Sequence, residues 1–451
     1  MNVAIIGTGY VGLTTGVCLA FLGHKVTCVD ADIKKIALLE KGTAPFFEPL
    51  LNELIVEATP HLRYTTDYAE AVPTADVIFI AVGTPTGVNG APDLKYLEAS
   101  ARSIGQHLGS QFTVIVNKST VPIGSGNWVG SLVRASMQEN GKKGCFSVAS
   151  NPEFLREGSA LYDSLYPDRI VIGTDQQRTS QVLYTLYQPL LEQTFAAPSF
   201  LPRPEGMGAV PLISTDLASA ELIKYAANAF LSLKISYINE IGALAEKVGA
   251  DITKVARGIG LDRRIGHRFL QAGVGWGGSC FGKDTAALIS TAAEYGLEMP
   301  IVKAARDVNR RQRDRVLDKL LGELKILKGR TIGLLGLAFK PDTDDLRDAP
   351  AIDIAKKLLE RGAIVKVHDP IAMDRFRQEH KDLGVICVET AEEVANDADA
   401  IVLVTEWLQY KELAWEDVAR SMQTPVLVDG RNALDRERMT QSGFRYIGLA
   451  G

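Results

Sequence analysis

The sequence predicts an α/β chain in which two doubly wound parallel sheets are joined by a central helical region with one long helix. Three observations lead there. Residues 1–6 form a short apolar run that passes straight into a glycine turn and a helix-compatible stretch; the same order of parts returns beyond residue 330; and residues 218–248, rich in Ala, Leu, Ile, Glu and Lys, contain no proline. At 451 residues the chain is too long for a single core, and ~150 residues per domain gives about three. The divisions are read at 1–210, 211–320 and 321–451.

The first run ends in Gly7-Thr8-Gly9-Tyr10-Val11-Gly12, and residues 13–22 continue as a helix. Lys25-Val26-Thr27-Cys28-Val29-Asp30 is strand-like and closes on an acid 18 residues past Gly12. In that strand, turn, helix, strand context the glycines form a dinucleotide-binding fingerprint of the Rossmann type. Gly7 makes the tight turn, Gly9 lets the backbone approach a pyrophosphate, Gly12 allows close helix packing, and the helix start at Tyr10 and Val11 faces the phosphates. Asp30 would hydrogen-bond the adenosine ribose and repel a 2′-phosphate, which favours NAD over NADP; Lys35, next to Lys34, softens that repulsion.

Residues 75–82 read as a buried strand followed by Gly83-Thr84-Pro85, and residues 112–116 as another followed by Asn117-Lys118-Ser119-Thr120-Val121-Pro122. Ligands of open parallel sheets sit beyond the carboxyl ends of the strands, which places Thr84 and Thr120 to meet a cofactor or its substrate. Each is equally compatible with a turn threonine beside proline. After a strand at 145–150 comes Asn151-Pro152-Glu153-Phe154-Leu155-Arg156-Glu157-Gly158. Asparagine as N-cap and proline at the first helical position predict a short helix that Gly158 ends. Glu153 and Glu157 would then share one face, either as a solvated patch with Arg156 or as acids that hold and deprotonate water.

Residues 196–211, with four prolines, read as a linker. Ser214-Thr215-Asp216 supplies an N-cap for the long helix, on which Glu221, Lys224 and Asn228 lie at i, i+3 and i+7 as a polar stripe on an apolar cylinder. Lys224 and Asn228 suit a site or a solvated surface. A twin helix from a second subunit is an economical cover for so apolar an element, so the region predicts a homodimer. Arg263, Arg264, His267 and Arg268 follow as a basic cluster suited to phosphate or to a helix C-terminus.

Residues 273–284 hold five glycines and one cysteine. Such a density permits positive φ and close passage of the backbone by a ligand. A helix read from Asp284 puts Cys280 just ahead of a positive helix end, and the Lys283 ammonium adds to the field, so the thiolate is favoured over the thiol. Cys280 is thus either a nucleophile or a buried cysteine in a flexible turn.

In the last third, residues 330–339 repeat strand then glycine turn, 363–370 echo the stretch that ends at Asp30, and 398–405 and 425–429 parallel the later strands. A second Rossmann-like sheet is therefore expected. Its first turn is followed by an irregular charged loop, residues 340–350, where the first domain has a helix; Lys340 and Arg347 there suit diphosphate oxygens. Two such sheets with one nicotinamide fingerprint suggest a second, nucleotide-bearing ligand.

Composition narrows the classes. Hydrophobic content of 46% and charged content of 23% are ordinary for a globular protein. A net charge of −5 gives no reason to expect nucleic acid or an anionic membrane as partner. Cys18, Cys28, Cys145, Cys280 and Cys387 lack CxxC spacing, so neither a disulfide framework nor a metal site is suggested, and a reducing cytoplasm fits best. No basic n-region and no apolar run of ~18 residues point to a signal peptide or membrane span.

Taken together, these motifs resemble the UDP-glucose/GDP-mannose 6-dehydrogenases along nearly the whole chain. The matching stretches are GTGYVG at 7–12, GTP at 83–85, KSTVP at 118–122, NPEFLREG at 151–158, ELIKYAANAFLSLKISYINE at 221–240, FLQAGVGWGGSCFGKD at 269–284 and GLAFKPDTDDLRDAP at 336–350. FLREG and FLQAG are more similar to the UDP-glucose branch than to the mannose or N-acetylated-sugar branches. The resemblance implies oxidation of a sugar C6 alcohol to a carboxylate with two NAD per turnover, Cys280 capturing the aldehyde as a thiohemiacetal that becomes a thioester. It implies that Lys224 and Asn228 stabilise oxygen at C6; that Thr120, Glu153 and Asp284 position or activate water; and that Glu157, Lys283 and Arg347 line the cofactor, with Thr84 and Thr120 at its edge. The UDP-sugar would lie against Glu153, Phe154, Leu155, Arg156, Glu157, Lys224 and Asn228, against Phe269, Leu270, Gln271, Ala272, Gly273 and Gly277, and against Lys340, with Arg264 reaching in from the second subunit of the dimer. Two departures stand out: Gly282 replaces the family's usual proline, and the 196–211 linker is long.

The same chemistry on a UDP-N-acetyl sugar or GDP-mannose is the near alternative. A non-catalytic nucleotide-sugar sensor of this fold has no need of Cys280, Lys224 and Glu157 together, and a two-electron hydroxyacid dehydrogenase has no use for the thiol.

Overall fold

A computed structural model describes residues 1–450 apart from 86 and 88–90. The chain forms two compact units, Met1–Ala226 with Ala286–Tyr295, and Ala227–Thr285 with Gly296–Gly451.

The first unit is built on eight strands: β1 (Asn2–Ile6), β2 (Lys25–Val29), β3 (Leu62–Thr65), β4 (Val77–Ile80), β5 (Phe112–Asn117), β6 (Cys145–Ser150), β7 (Ile170–Gly173) and β8 (Leu212–Thr215). They lie in the order β3-β2-β1-β4-β5-β6-β7-β8, all pairs parallel except β6 with β7. The inner strands are mostly apolar because both faces are covered, and the faces alternate with period two. Val3, Ile5, Val77, Phe79, Val114 and Val116 join one apolar layer, while Ala4, Ile6, Ile78, Ile80 and Ile115 join the other. The order reverses between β1 and β4, which is where this architecture opens a crevice at the strands' carboxyl ends. The linker at 196–211 is irregular, and beyond it β8 pairs with β7, so the sheet continues past the linker.

The second unit repeats the winding with β9 (Thr331–Leu335), β10 (Ile364–His368), β11 (Ile386–Cys387), β12 (Ala400–Leu403), β13 (Val426–Asp429) and β14 (Arg445–Gly448), in the order β11-β10-β9-β12-β13-β14. Every pair is parallel. As expected, no helix follows its first turn until Pro350.

The long helix spans Leu217–Val248. Asp216 starts it: its side chain accepts from the Ser219 amide (2.8 Å) and from the Ser219 hydroxyl (2.7 Å). Among the described residues, no helix is long and apolar enough to cross a membrane.

One expected helix is absent. Residues 151–156 have no helical backbone, and the next helix begins only at Ala160. The groups that made the stretch look helical are committed elsewhere: Asn151 Nδ2 donates to Val171 O (2.7 Å), its Oδ1 accepts from Lys118 Nζ (2.9 Å) and Tyr187 Oη (2.6 Å), and Glu153 Oε2 accepts the Leu155 amide (2.7 Å). Glu48 takes the Gly158 and Ala160 amides at 2.6 and 2.7 Å. Buried bonds to distant groups outweigh a local N-cap and a favourable proline, so Glu153 and Glu157 do not share a helix face.

Candidate active site

At the first crevice, the three glycines have different reasons to be glycine. Gly7 sits at φ 99°, and a Cβ there would lie 2.8 Å from Ala81 O; one on Gly12 would lie 1.9 Å from Gly7 O. At Gly9 a Cβ would meet nothing within 4 Å, which leaves an open approach beside the N-terminus of the Tyr10–Phe21 helix. That is the arrangement a pyrophosphate needs. Tyr10 packs on Phe46 with ring centroids 4.0 Å apart.

Asp30 closes the turn, accepting from the Thr8 amide (2.8 Å), the Thr8 hydroxyl (2.6 Å) and the Asp32 amide (3.0 Å), with Lys35 Nζ at 3.8 Å. Burial alone would raise its pKa, but these hydrogen bonds and Lys35 win and hold it below the usual carboxylate range. A fixed carboxylate at this place suits a ribose and disfavours a 2′-phosphate. At the ends of β4 and β5 the structure joins two predicted residues, since Thr84 Oγ1 donates to Thr120 O at 2.8 Å.

Further along the same sheet is a buried ion pair. Lys224 Nζ lies 2.6 Å from Glu153 Oε1, with both side chains almost fully covered. Burial pushes the Glu153 pKa up, yet Lys224, the Leu155 amide and the charge of Lys118 pull it lower, so the acid stays ionised. Phe154 is flanked by the Arg169 guanidinium, 3.6 Å from its ring centroid, and by Lys224 Nζ at 5.6 Å. Arg156 is tied to Asp163 through Nη2 (2.6 Å) and Nε (3.0 Å), and Glu157 occupies the turn before Gly158, whose φ is 81°. Glu221 leaves the predicted polar stripe and takes the Gly124 and Gly126 amides (2.6 and 3.0 Å) at the start of the Ser125–Glu139 helix. Burial raises its pKa in spite of those two bonds.

The second unit holds the cysteine. The helix after it begins at Phe281, three residues earlier than the sequence suggested, so Cys280 is its N-cap and its carbonyl accepts the Asp284 amide at 2.8 Å. The positive helix end therefore falls on Cys280 itself. Its Sγ lies 3.5 Å from Ser279 Oγ and is partly exposed. Buried Cys18 and Cys28, by contrast, are pushed up to about 12 by desolvation. In the first turn of the helix Asp284, fully buried, accepts from Asn228 Nδ2 (2.6 Å) and has Lys283 Nζ at 3.7 Å.

This loop is not flexible. Ala272 O takes a bond from Asn432 Nδ2 (3.0 Å), the Gly273 amide donates to Asn239 Oδ1 (2.7 Å), the Val274 amide to Gly430 O (2.8 Å), and the Gly278 amide to Arg347 O (2.9 Å). Asn309 holds both backbone groups of Trp276. The glycines also serve the protein rather than an open approach: a Cβ on Gly273 would lie 2.6 Å from Gly430 O, on Gly277 2.4 Å from Asp348 O, and on Gly278, at φ 84°, 2.9 Å from the Phe339 ring. Gly277 and Gly273 therefore present backbone, with no room for side chains. Phe269 takes a left-handed φ of 65°, Leu270 and Ala272 are buried in a small apolar cluster, and Gln271 is exposed. Lys340 Nζ sits 5.5 Å from the Phe339 ring centroid, Arg347 grips buried Asp345 with Nε and Nη2 at 2.8 Å, and Arg264 is exposed and bound to Asp262.

Several braces carry no local signal in the sequence. Asn309 lies inside a charged helix, Pro300–Leu324, and Glu48 and Arg169 lie in loops far from the groups they hold. Lys118 gave the one usable hint, an ammonium at the end of a buried strand that must find compensation inside.

Three domain models of the UDP-glucose/GDP-mannose dehydrogenase family match in succession: its NAD binding domain over residues 1–191, its central domain over 218–311 and its UDP binding domain over 333–436. Among curated relatives, UDP-glucose 6-dehydrogenase TuaD of Bacillus subtilis is 44% identical, covering 99% of this chain and 92% of that protein. A UDP-glucose 6-dehydrogenase of Rhizobium meliloti is also 44% identical, with 100% and 99% covered. A solved UDP-glucose dehydrogenase from Pyrobaculum islandicum superposes with a TM-score of 0.88 at 39% identity, covering 100% of this chain and 97% of that one.

Proposed function

Because the chain belongs to the UDP-glucose/GDP-mannose dehydrogenase family, an NAD-dependent dehydrogenase family, we propose that it oxidises UDP-glucose at C6 to UDP-glucuronate in two successive two-electron steps. The observation that carries this reading is Cys280, held as a helix N-cap in a fixed loop, where a thiolate is favoured. The 40–44% identity to proteins named UDP-glucose 6-dehydrogenase supports UDP-glucose over other nucleotide sugars.

NAD would be held by Gly7, Gly9, Tyr10, Val11, Gly12, Asp30 and Lys35, with Thr84, Thr120, Glu157, Lys283 and Arg347 lining it, and when bound it supplies the hydride acceptor for each oxidation. After the C6 alcohol has become an aldehyde, the Cys280 thiolate adds to the carbonyl carbon and the oxygen takes a proton, giving a thiohemiacetal. Its oxidation leaves a thioester. Water held by Thr120, Glu153 or Asp284 then attacks, the C–S bond breaks, and Cys280 departs as thiolate with the acid released. Lys224 and Asn228 stabilise the oxygen at C6. The UDP-sugar is bound by residues 153–157, 269–273, Gly277 and Lys340, with Arg264 contributed across a subunit contact.

In this reading residues 1–210 carry NAD, 211–320 the catalytic loop and dimer contact, and 321–451 the UDP group. The dimer is supported by an apolar stripe on the long helix: Phe230, Tyr237 and Leu244, spaced by seven, are 62%, 51% and 60% exposed.

Counting NADH per UDP-glucose tests the reaction. Two are expected; one, or none, rules out the four-electron course or the substrate, and the same count across UDP-N-acetyl sugars and GDP-mannose identifies a different sugar. With Cys280→Ser, steady turnover should fall by about 10³-fold and stall after the first oxidation; near-normal turnover would make the thiol structural only.

A further inference from the structure

Around Glu153 the first unit buries two ammonium groups. Lys224 makes the ion pair. Lys118, at the end of β5, points its Nζ to Asn151 Oδ1 (2.9 Å) and lies 5.9 Å from the Phe79 ring centroid. Among the described residues it forms no ion pair. Asn151 is itself fixed by Tyr187 Oη and by Val171 O, so the ammonium is held on a rigid mount from the floor of the sheet. With all three groups ionised, the cluster of Lys118, Lys224 and Glu153 carries one net positive charge in a buried place.

A buried carboxylate deprived of its hydrogen-bonded cation protonates or destabilises the fold unless another charge compensates it. Lys224 has two claims on it, since it pairs with Glu153 in this structure and stabilises the sugar's C6 oxygen in the function proposed above, on which this inference rests. We propose that Lys118 is a positioning residue that compensates Glu153 whenever Lys224 is engaged by the substrate oxygen, so that Glu153 stays a carboxylate able to accept a proton from water.

The charged neighbours of Lys118 are Glu153, from the loop after β6, and Lys224, from the long helix; Tyr187 reaches it through Asn151. Desolvation, with the repulsion of Lys224, outweighs Glu153 and brings Lys118 down to about 8. The compensation is therefore complete well below pH 8, is halved near about pH 8 and is lost above it.

The test combines turnover with a titration that needs none. In Lys118→Met, kcat should fall ~10- to 100-fold with KM for UDP-glucose within about threefold. The acidic limb of its pH profile should move to higher pH, because a cation that stabilised ionised Glu153 is gone, and any fall above about pH 8 due to Lys118 should vanish. Lys118→Arg, which keeps the charge, should recover most of the loss. Infrared titration of the free protein, with the Glu153→Gln spectrum subtracted, should show the Glu153 protonated-carboxyl band appearing at higher pH in Lys118→Met than in the wild type. An unmoved band and acidic limb overturn the proposal, even if the protein oxidises another sugar or none. Should Lys118→Met not fold, Asn151→Asp, which neutralises the ammonium in place, must move the band the same way; no movement there overturns it equally.

Discussion

Asn309 holds both backbone groups of Trp276: its Oδ1 accepts the Trp276 amide at 2.7 Å, and its Nδ2 donates to the Trp276 carbonyl at 3.0 Å. Ser279, three positions after Trp276, touches Cys280, so one buried amide sets the register of the loop that presents the thiol. Asn309→Ala should cost about 2–3 kcal/mol of stability, because two buried groups lose their partner. It should also lower kcat ~10- to 100-fold through a shift of Cys280. Thermal unfolding and steady-state NADH production read the two effects, and a stable, fully active variant would show that Arg313, which also reaches Trp276 O, suffices to hold the loop.

The pair Lys224–Glu153 makes stability depend on pH in a fixed direction. Glu153 has a folded pKa below its unfolded value of about 4.3, so its contribution is complete above that pH and is lost as pH falls through the lower folded value. Lys224→Met should cost about 3–5 kcal/mol at pH 7, where it leaves a buried carboxylate without its nearest cation. The penalty should shrink as Glu153 protonates toward pH 3. Thermal midpoints of wild type and variant across that range check it; a penalty that does not vary with pH would assign the loss to packing alone.

Gly282 occupies the first turn of the Phe281–Glu294 helix without a positive φ, so it is not required there by the backbone. Gly282→Ala should stabilise by about 0.5–1 kcal/mol through the unfolded chain's lost freedom. The new Cβ would approach Asp348 Oδ2 at 3.3 Å, and that carboxylate, partly open to solvent, can give way. Turnover should stay within about twofold. A lower midpoint would mean that Asp348, fixed by Arg313, does not yield.

For the proposed dimer, charges placed on the exposed stripe should separate the subunits. Tyr237→Glu with Leu244→Glu should weaken association by at least ~100-fold, measured by sedimentation. If Arg264 acts across the contact, NADH production should fall with dimer dissociation and recover at high protein concentration. A wild type that sediments as a monomer would end the proposal at once.

Local signals determined the two sheets. Continuous apolar runs marked the central strands, the glycine turn with Asp30 marked the first crevice, and the repetition of those parts announced β9, β10, β12 and β13. The edge strands β3, β8 and β14 carry weak signals because each has four residues of mixed polarity, and β7, an inner strand, is an apolar run of only four residues. Cys280, Asn228 and Asp284 were legible as residue types in a dense pattern, and Glu153 and Lys224 as polar groups on promising elements.

Tertiary structure alone decided what those groups touch. Residues 151–158 carry good helix-start signals, yet Asn151 gains more from Lys118, Tyr187 and Val171, which are 33, 36 and 20 residues away, than a local cap could supply. Glu153 is joined to a lysine 71 residues along, and the glycines of the cysteine loop answer to Gly430, Asp348 and Phe339 rather than to their own neighbours. Propensity and capping act over a few residues, whereas a buried charge or amide must be satisfied by whatever the fold brings to it, and that demand is invisible until the chain has closed on itself.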